Sequence, residues 1–329
     1  MLLVTMKDIA KKAGVSQATV SRVISGNSSV NPEIKRTVME WVRKLDYKPN
    51  LIAQSLVGNK SLLIGVIITD ISNPFFSDII KSVESEAAKY GYSIILCNTD
   101  DNLEKEKKYI SILKSYNVDG ILIVPSNSGI NVSKNLRNIN IPTVVITQDI
   151  KGFSCISISH YKGGREVAKH LINMGYSKFI FVGEEDEKYR GFKEEIESFG
   201  FDIDKDLFLI NYKLVNKKLP KFLESIIEDS DIGIFAFNDI EALIVLDILK
   251  EMRVVIPEKA ALVGFDNTFI SKEVSPSLSS VAQPIEEIGR QSIETLVDIM
   301  CHKKEFKERH VIIEPRLVVR ESSVKSIEY

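Results

Sequence analysis

TMKDIAKKAGVSQATVSRVIS, residues 5–25, reads as two short helices broken at Gly14. Thr5 with Asp8 three residues later is a capping-box-like start, Asp standing where Glu or Gln is usual. Ile9, Ala10 and Ala13 follow at helical spacing, and Gly14 permits the left-handed turn that a side chain resists. Ser16 is placed to cap a second helix whose Val20, Val23 and Ile24 share one apolar face. Gln17, Ser21 and Arg22 then point outward. This is a helix-turn-helix pattern, in which the N-terminal residues of the second helix enter a DNA major groove. Gln suits adenine and Arg suits guanine in bidentate pairing. The same residues are also compatible with an ordinary helical hairpin carrying polar surface residues.

Working outward, the head is basic. Through Lys60 there are ten Lys and Arg against four Asp and Glu, whereas the whole chain carries a net charge of −2. A basic head on an acidic body fits phosphate neutralisation by the head, because counterion release supplies much of nucleic-acid affinity. A length of 329 residues is natural for two or three domains, and 44% hydrophobic with 27% charged residues describes an ordinary globular chain. The three cysteines, Cys97, Cys155 and Cys301, are far apart and show no CxxC or metal spacing, which favours free thiols in a reducing compartment. The opening MLLVT is too short for a signal core and no apolar run approaches a membrane span, so a cytoplasmic protein without a membrane partner is expected.

Asn31 and Pro32 open a third helix with Val38, Trp41, Val42 and Leu45 on one stripe, which assigns Trp41 to the core of the head rather than to base stacking. The stretch LIAQSLVG, residues 51–58, is too short for a stable isolated helix, yet Leu51, Ile52 and Leu56 are too apolar for a solvated tether. From Leu62 onward strands alternate with helices of 10–15 residues in two runs, among them LLIGVII, SIILC, GILIV and PTVVI, then KFIFV, GIFAF and AALVGF. A helix is expected over residues 191–199. That alternation specifies doubly wound parallel sheets in two similar lobes, with ligands expected where strand C-termini meet the cleft.

The quoted head, the third helix ending LDYKPN, the stretch IAQSL, and LLIGVIITDISNPFF, DGILIVPS, GGREVAKHLINMGYSKFIFVG, FAFNDIEAL, ALVGFDN, SSVAQPIEEIG and PRLVVRES occur here in one order and spacing. On these motifs the chain resembles the LacI/GalR family of bacterial repressors over essentially its whole length. The resemblance implies an all-α helix-turn-helix head (1–48) and a hinge (49–60). It also implies an α/β body of two parallel-sheet lobes like the periplasmic sugar-binding proteins, acting as effector sensor and dimer interface (61–329). The N-lobe is expected at about 61–158 and 285–320, and the C-lobe at about 159–284 and 321–329.

In function, the resemblance implies a homodimeric transcriptional regulator reading a pseudo-palindromic double-stranded DNA operator. The expected role is a repressor of a carbohydrate-utilisation operon, switched by a sugar or sugar derivative without cofactor or metal. By position, Ser16 and Ser21 are implied phosphate contacts, and Gln17, Ala18 and Arg22 base readers. Leu56, with Ala53 and Gln54 beside it, is implied as a minor-groove wedge, whose unstacking cost is offset by contacts that the bend permits. Implied effector contacts are Asn73, Phe75, Phe76, Ser126, Lys188, Asn238, Asp266 and Gln283. Asn73 and Asn238 equally suit helix caps.

The chain departs from the family pattern around the ligand. Lys188 occupies a position where many members carry Arg, and a lysine cannot reproduce a bidentate guanidinium grip. Thr147 replaces a common Asp, Ser159-His160 replaces a frequent Asp-Asn, and the loop from Gly183 to Gly191 is short. His160 has no nucleophile beside it and is expected at the surface or between the lobes. The alternative that these departures leave open is a catabolite-control type of body answering to a protein partner. A sugar-transport receptor fits poorly with a DNA-binding head. No GxGxxG follows the first body strand, and P-loop, HExxH and GxSxG motifs are absent, which argues against an enzyme.

Overall fold

Local sequence accounts for the head. In the computed structural model, which describes residues 4–24, 30–47, 60–126, 140–228, 230–302 and 307–325, Thr5 and Asp8 form a reciprocal capping box that starts α1 (Met6–Ala13). Gly14 closes that helix in the left-handed conformation, at φ 68°. Ser16 then accepts from the Thr19 amide at 3.1 Å to start α2 (Gln17–Ile24), and Asn31 caps α3 (Pro32–Lys44) through the Glu33 amide. The three helices bury Ile9, Ala10, Val20, Val23, Val38 and Tyr47 together. Trp41 packs half-buried against this cluster, with the ammonium groups of Lys12 and Lys44 over its ring. Ala53, Gln54 and Leu56 lie outside the described residues.

The chain divides into two compact units, residues 1–61 and 62–329. The second unit holds two six-stranded sheets of matching topology. The first contains β1 (Leu63–Ile68), β2 (Ser93–Asn98), β3 (Gly120–Ile123), β4 (Thr143–Thr147) and β5 (Ser154–Ile158), interleaved with α4 (Pro74–Lys89) and α5 (Leu103–Ser115). The second contains β6 (Lys178–Val182), β7 (Leu207–Ile210), β8 (Ile232–Ala236), β9 (Ala260–Asp266) and β10 (Ser279–Ala282). Its helices include α6 (His160–Asn173), α7 (Glu187–Ser198), α8 (Ile203–Asp206), α9 (Val215–Ile226), α10 (Asp239–Glu251) and α11 (Ile270–Glu273). Helix α12 (Ile285–Cys301) and strand β11 (His310–Ile313) return to the first lobe, and β12 (Arg316–Val318) to the second. The strand orders are β11-β5-β4-β3-β1-β2 and β12-β10-β9-β8-β6-β7, with every pairing parallel except β10 with β12. Such an order places a topological switch point between β1 and β3, and between β6 and β8.

Continuous apolar strands explain the parallel sheets, since each is covered on both faces. The described strands β3, β4, β5, β8, β9 and β10 are buried at every residue. The chain crosses between lobes three times: at Ser159, at Gln283-Pro284, and at Glu314-Pro315. The third crossing corrects the expected N-lobe limit of about 320, because Arg316–Val318 satisfies its backbone on β10 of the C-lobe. A second correction concerns α7. It begins at Glu187, capped by Asp186 through the Tyr189 amide, rather than at residue 191. Lys188 is therefore a first-turn helical residue, not part of a loop. No described helix is long and apolar enough to cross a membrane.

Candidate functional site

On the head, burial of Val20 and Val23 turns the opposite face of α2 to solvent. Gln17, Ala18, Ser21 and Arg22 are all exposed there, and Ser16 stands exposed at the helix N-terminus. The Ser16 hydroxyl is shared between the Thr19 amide and the Thr19 hydroxyl. A short helix with an exposed, Ser16-capped N-terminal turn and two long polar side chains has the form required for major-groove entry.

In the body, the cleft residues converge on the C-terminal end of β9. Asp266 ends that strand at φ 97° and Asn267 follows at φ 50°, two left-handed non-glycine residues in succession. Such backbone costs about 1–3 kcal/mol per residue unless surrounding structure holds it. Here the holding group is Asp239, buried at the start of α10. One of its oxygens accepts from the Thr268 amide and hydroxyl at 2.7 and 2.9 Å, and the other accepts from the Ser280 hydroxyl. Arg320 reinforces the turn by donating to Asn267 Oδ1, Ser271 Oγ and the Leu278 carbonyl. Burial pushes the Asp239 carboxyl up to about 6. Neither Asp239 nor Arg320 was among the expected contacts. The sole sequence signal for them was position within FNDIEAL and VVRES.

Asp266 itself is 5% exposed, and burial raises its carboxyl to about 7, against the opposing pull of the Lys188 charge. It accepts from Gln283 Nε2 at 2.5 Å, and the Asn73 side chain approaches from the other lobe and lowers its carboxyl slightly. Asn73 uses its carbonyl oxygen to cap α4 through the Phe75 amide at 3.0 Å, which turns its amide nitrogen away from that cap. The helix-cap reading of Asn73 is what the structure shows. Gln283 sits on the second crossing between lobes. Its Oε1 is buried with no hydrogen-bond partner, a cost of about 1–3 kcal/mol for a polar group of this kind.

Lys188 is buried beneath this group. Its ammonium donates to the Phe237 carbonyl at 2.9 Å and lies 3.9 and 4.2 Å from the ring centres of Phe237 and Phe265. Desolvation pulls the lysine below its ordinary range, partly opposed by the charges of Asp266, Asp186 and Asp239. Its charge is satisfied by a carbonyl and two aromatic faces rather than presented to the cleft. His160 packs edge-on against Phe265 with ring centres 5.6 Å apart. Desolvation, with the neighbouring Lys188 charge, lowers it to about 3, which keeps the imidazole neutral.

The remaining expected contacts have other engagements. Asn238 caps α10 through the Glu241 amide at 2.8 Å, directly after Phe237. Ser126 is fully buried, sharing its hydroxyl with Thr99 and donating its amide to the buried carboxylate of Glu106. Phe75 is part of the N-lobe core, and Phe76 meets it edge-on at 5.1 Å while remaining half-buried. Asn73, Lys188, Asp266 and Gln283 thus lie near one another as one group, with His160 added, and Phe75 and Ser126 belong to the scaffold behind the N-lobe wall. Among the described residues, the one cluster with metal-ligand spacing lies away from this group, at Asp149, Cys155 and His310.

Residues 5–50 match the family described as bacterial regulatory proteins, lacI family, and residues 168–323 match the periplasmic binding protein-like domain. The HTH-type transcriptional regulator DegA of Bacillus subtilis (strain 168) is 32% identical over 97% of this chain and 98% of its own. A periplasmic binding protein/LacI transcriptional regulator from Alkaliphilus metalliredigens QYMF, solved in complex with D-xylulofuranose, is also 32% identical. Its TM-score is 0.71, over 80% of this chain and 99% of that one. The lac repressor dimer bound to operator and the anti-inducer ONPF superposes with a TM-score of 0.87 over 98% of this chain and 100% of its own; at 23% identity that likeness concerns the fold.

Proposed function

Because the chain belongs to the lacI family of bacterial regulatory proteins and is a DNA-binding transcriptional regulator, not an enzyme, we propose that it is a dimeric repressor released or recruited by a neutral sugar bound between its lobes. In this reading Gln17, Ala18 and Arg22 read base edges while Ser16 and Ser21 hold phosphates. Ala53, Gln54 and Leu56 supply the hinge and its minor-groove wedge. The operator is pseudo-palindromic, as a two-fold dimer requires.

The observation that carries the sugar assignment is the orphaned Oε1 of Gln283 beside the buried carboxyl of Asp266. Together they offer acceptors for hydroxyl donors, the pairing that a polyol satisfies. The electrostatics favour a neutral ligand. Two buried carboxyls, Asp239 and Asp266, already hold raised values, and the nearby lysine is spent on a carbonyl and two rings. A carboxylate or phosphate brought here adds a like charge in a low-dielectric site, which is strongly unfavourable. The D-xylulofuranose held by the Alkaliphilus regulator makes pentoses the first class to try.

The test is a thermal-shift series on the full chain, comparing neutral pentoses and hexoses with the corresponding sugar acids and sugar phosphates. Each ligand is then titrated into the protein bound to DNA from its own promoter. A neutral sugar is expected to raise the melting temperature and change DNA affinity; at a hundredfold excess over Kd the stabilisation is about 2.7 kcal/mol. Stronger stabilisation by the anionic derivatives sinks the neutral-ligand reading. No response to any sugar turns the assignment to the protein-partner alternative.

A further inference from the structure

At the outer edge of the N-lobe sheet, β5 and β11 run parallel with Cys155 and His310 paired directly in the register. Paired residues on adjacent strands project from the same face, which makes the thiol and the imidazole neighbours. Asp149 joins them from the connection between β4 and β5, and the three ligand atoms all lie within 4.8 Å of one another. His310 Nδ1 stands 2.6 Å from Asp149 Oδ1, while its other nitrogen faces the Glu308 carboxylate at 3.8 Å. Cys155 is fully buried, and the Ile150 amide donates to its sulfur at 3.2 Å.

We propose that Asp149, Cys155 and His310 form a binding site for one borderline divalent cation of the zinc type, with the Glu308 carboxylate adding negative charge beside it. The donor set selects the ion class. One sulfur, one imidazole nitrogen and one carboxylate suit zinc or cobalt, whereas magnesium and calcium require oxygen ligands throughout. The half-exposed side chains of Asp149 and His310 provide an entry path and leave the fourth position to water. The Glu308 carboxylate, 3.8 Å from the outer nitrogen of His310, adds negative charge beside the site without a hydrogen bond to the ring. In the free chain the thiol donates to the Ile150 and Phe153 carbonyls at 3.4 and 3.3 Å, contacts that metal binding gives up, while the Ile150 amide at 3.2 Å remains as a donor to the thiolate. Binding replaces the S–H bond by a sulfur–metal bond and releases that proton to solvent, with no redox change. The bound ion ties β11, which follows α12 and precedes the third lobe crossing, to the β4–β5 connection.

The experiment uses the full reduced chain, stripped with a chelator and titrated with cobalt(II). Expected are a sulfur-to-cobalt charge-transfer band, visible d–d bands of tetrahedral intensity, saturation at one equivalent, and displacement by zinc. Cys97→Ser and Cys301→Ser keep the charge-transfer band, whereas Cys155→Ser loses it. Because Cys155 is buried, a surface variant keeps the test independent of folding: His310→Ala abolishes the tetrahedral spectrum. A band that survives Cys155→Ser, or that disappears with Cys301→Ser, overturns the proposal. So does wild-type protein that shows no saturable spectrum.

Discussion

Gln283 and Asp266 are the residues on which ligand recognition is expected to turn, and each can be probed alone. Gln283 donates to Asp266 through Nε2 and leaves Oε1 buried without a partner. Replacing it by Leu removes an acceptor that only a ligand can use. Loss of a hydrogen bond in such a site costs about 1–3 kcal/mol, so the sugar Kd is expected to rise roughly tenfold to a hundredfold in Gln283→Leu. Operator affinity without sugar stays unchanged, and calorimetric titration that finds the wild-type Kd refutes the contact. Asp266 is the residue with a pH signature. Its folded value, about 7, lies above the ordinary 3.8, so between these two values the folded chain holds more protons than the unfolded chain. Stability therefore falls as pH rises through that window. Asp266→Asn removes this contribution and flattens the profile, and the variant gains on the wild type toward neutral pH. Asp239, raised to about 6, contributes a residual slope of the same sign that ends earlier. Urea midpoints from about pH 4 to about pH 8 measure both slopes; parallel profiles for wild type and Asp266→Asn refute the assignment.

The next scale is the pair of helices that carries Lys188 and His160 to the cleft. Helices α6 and α7 meet backbone to backbone. A Cβ on Gly164 falls 2.0 Å from the Lys188 carbonyl oxygen, and one on Gly191 falls 2.0 Å from that of Tyr161. Neither neighbour is a side-chain tip that can swing away. Gly164→Ala is expected to force the helices apart and destabilise the body by about 1–3 kcal/mol or more, shifting Lys188 from Phe237 and weakening sugar binding as well. A melting temperature and sugar Kd equal to wild type contradict this account. In the head, Thr5→Ala opens the capping box and costs about 1 kcal/mol of head stability, read from the loss of its helical circular dichroism on heating. These elements also show what sequence reading reaches. The start of α1, the turn at Gly14 and the cap on α3 were legible because each rests on short-range hydrogen bonds whose residue types are diagnostic. The start of α7 was not, since Asp186 capping through Tyr189 competes with a glycine five residues on, Gly191, that looks like the natural boundary. Helix α9 carries Pro220 in its interior, which reads as a breaker, and β7 is only four residues long at a sheet edge. Sequence reading singled out Asn73, Lys188, Asp266 and Gln283, which the fold brings near one another, whereas Arg320 and Asp239 gain their roles from tertiary neighbours more than twenty residues away in sequence. Cys155, Asp149 and His310 form no sequence motif, because strand register rather than spacing makes them neighbours.

Across the whole molecule, the three lobe crossings decide how ligand can act at a distance. Gln283 sits on one crossing, and the Lys162–Glu314 ion pair joins the two lobes beside another. The Asn73 side chain approaches Asp266 from the other lobe, close enough to lower its carboxyl, at the group expected to hold the sugar. A sugar that takes Asp266 and Gln283 exchanges this interaction for its own hydroxyls and so has a differential affinity for two lobe arrangements, which is the requirement for any population shift. If the DNA-bound dimer favours one arrangement, operator and sugar are coupled by about 1–3 kcal/mol, equivalent to roughly a 5- to 150-fold change in affinity. Linkage makes this reciprocal. The factor by which saturating sugar changes the operator Kd equals the factor by which saturating operator changes the sugar Kd. Both can be measured on one preparation, by anisotropy of labelled operator and by calorimetry of sugar with and without DNA. Asn73→Ala weakens this interaction between lobes without touching the head, so it is expected to move both factors together while leaving the salt dependence of operator binding, set by phosphate contacts, unchanged. Unequal factors in the wild type exclude a single two-state coupling, and an Asn73→Ala variant that alters the salt slope places its effect on the DNA contacts instead.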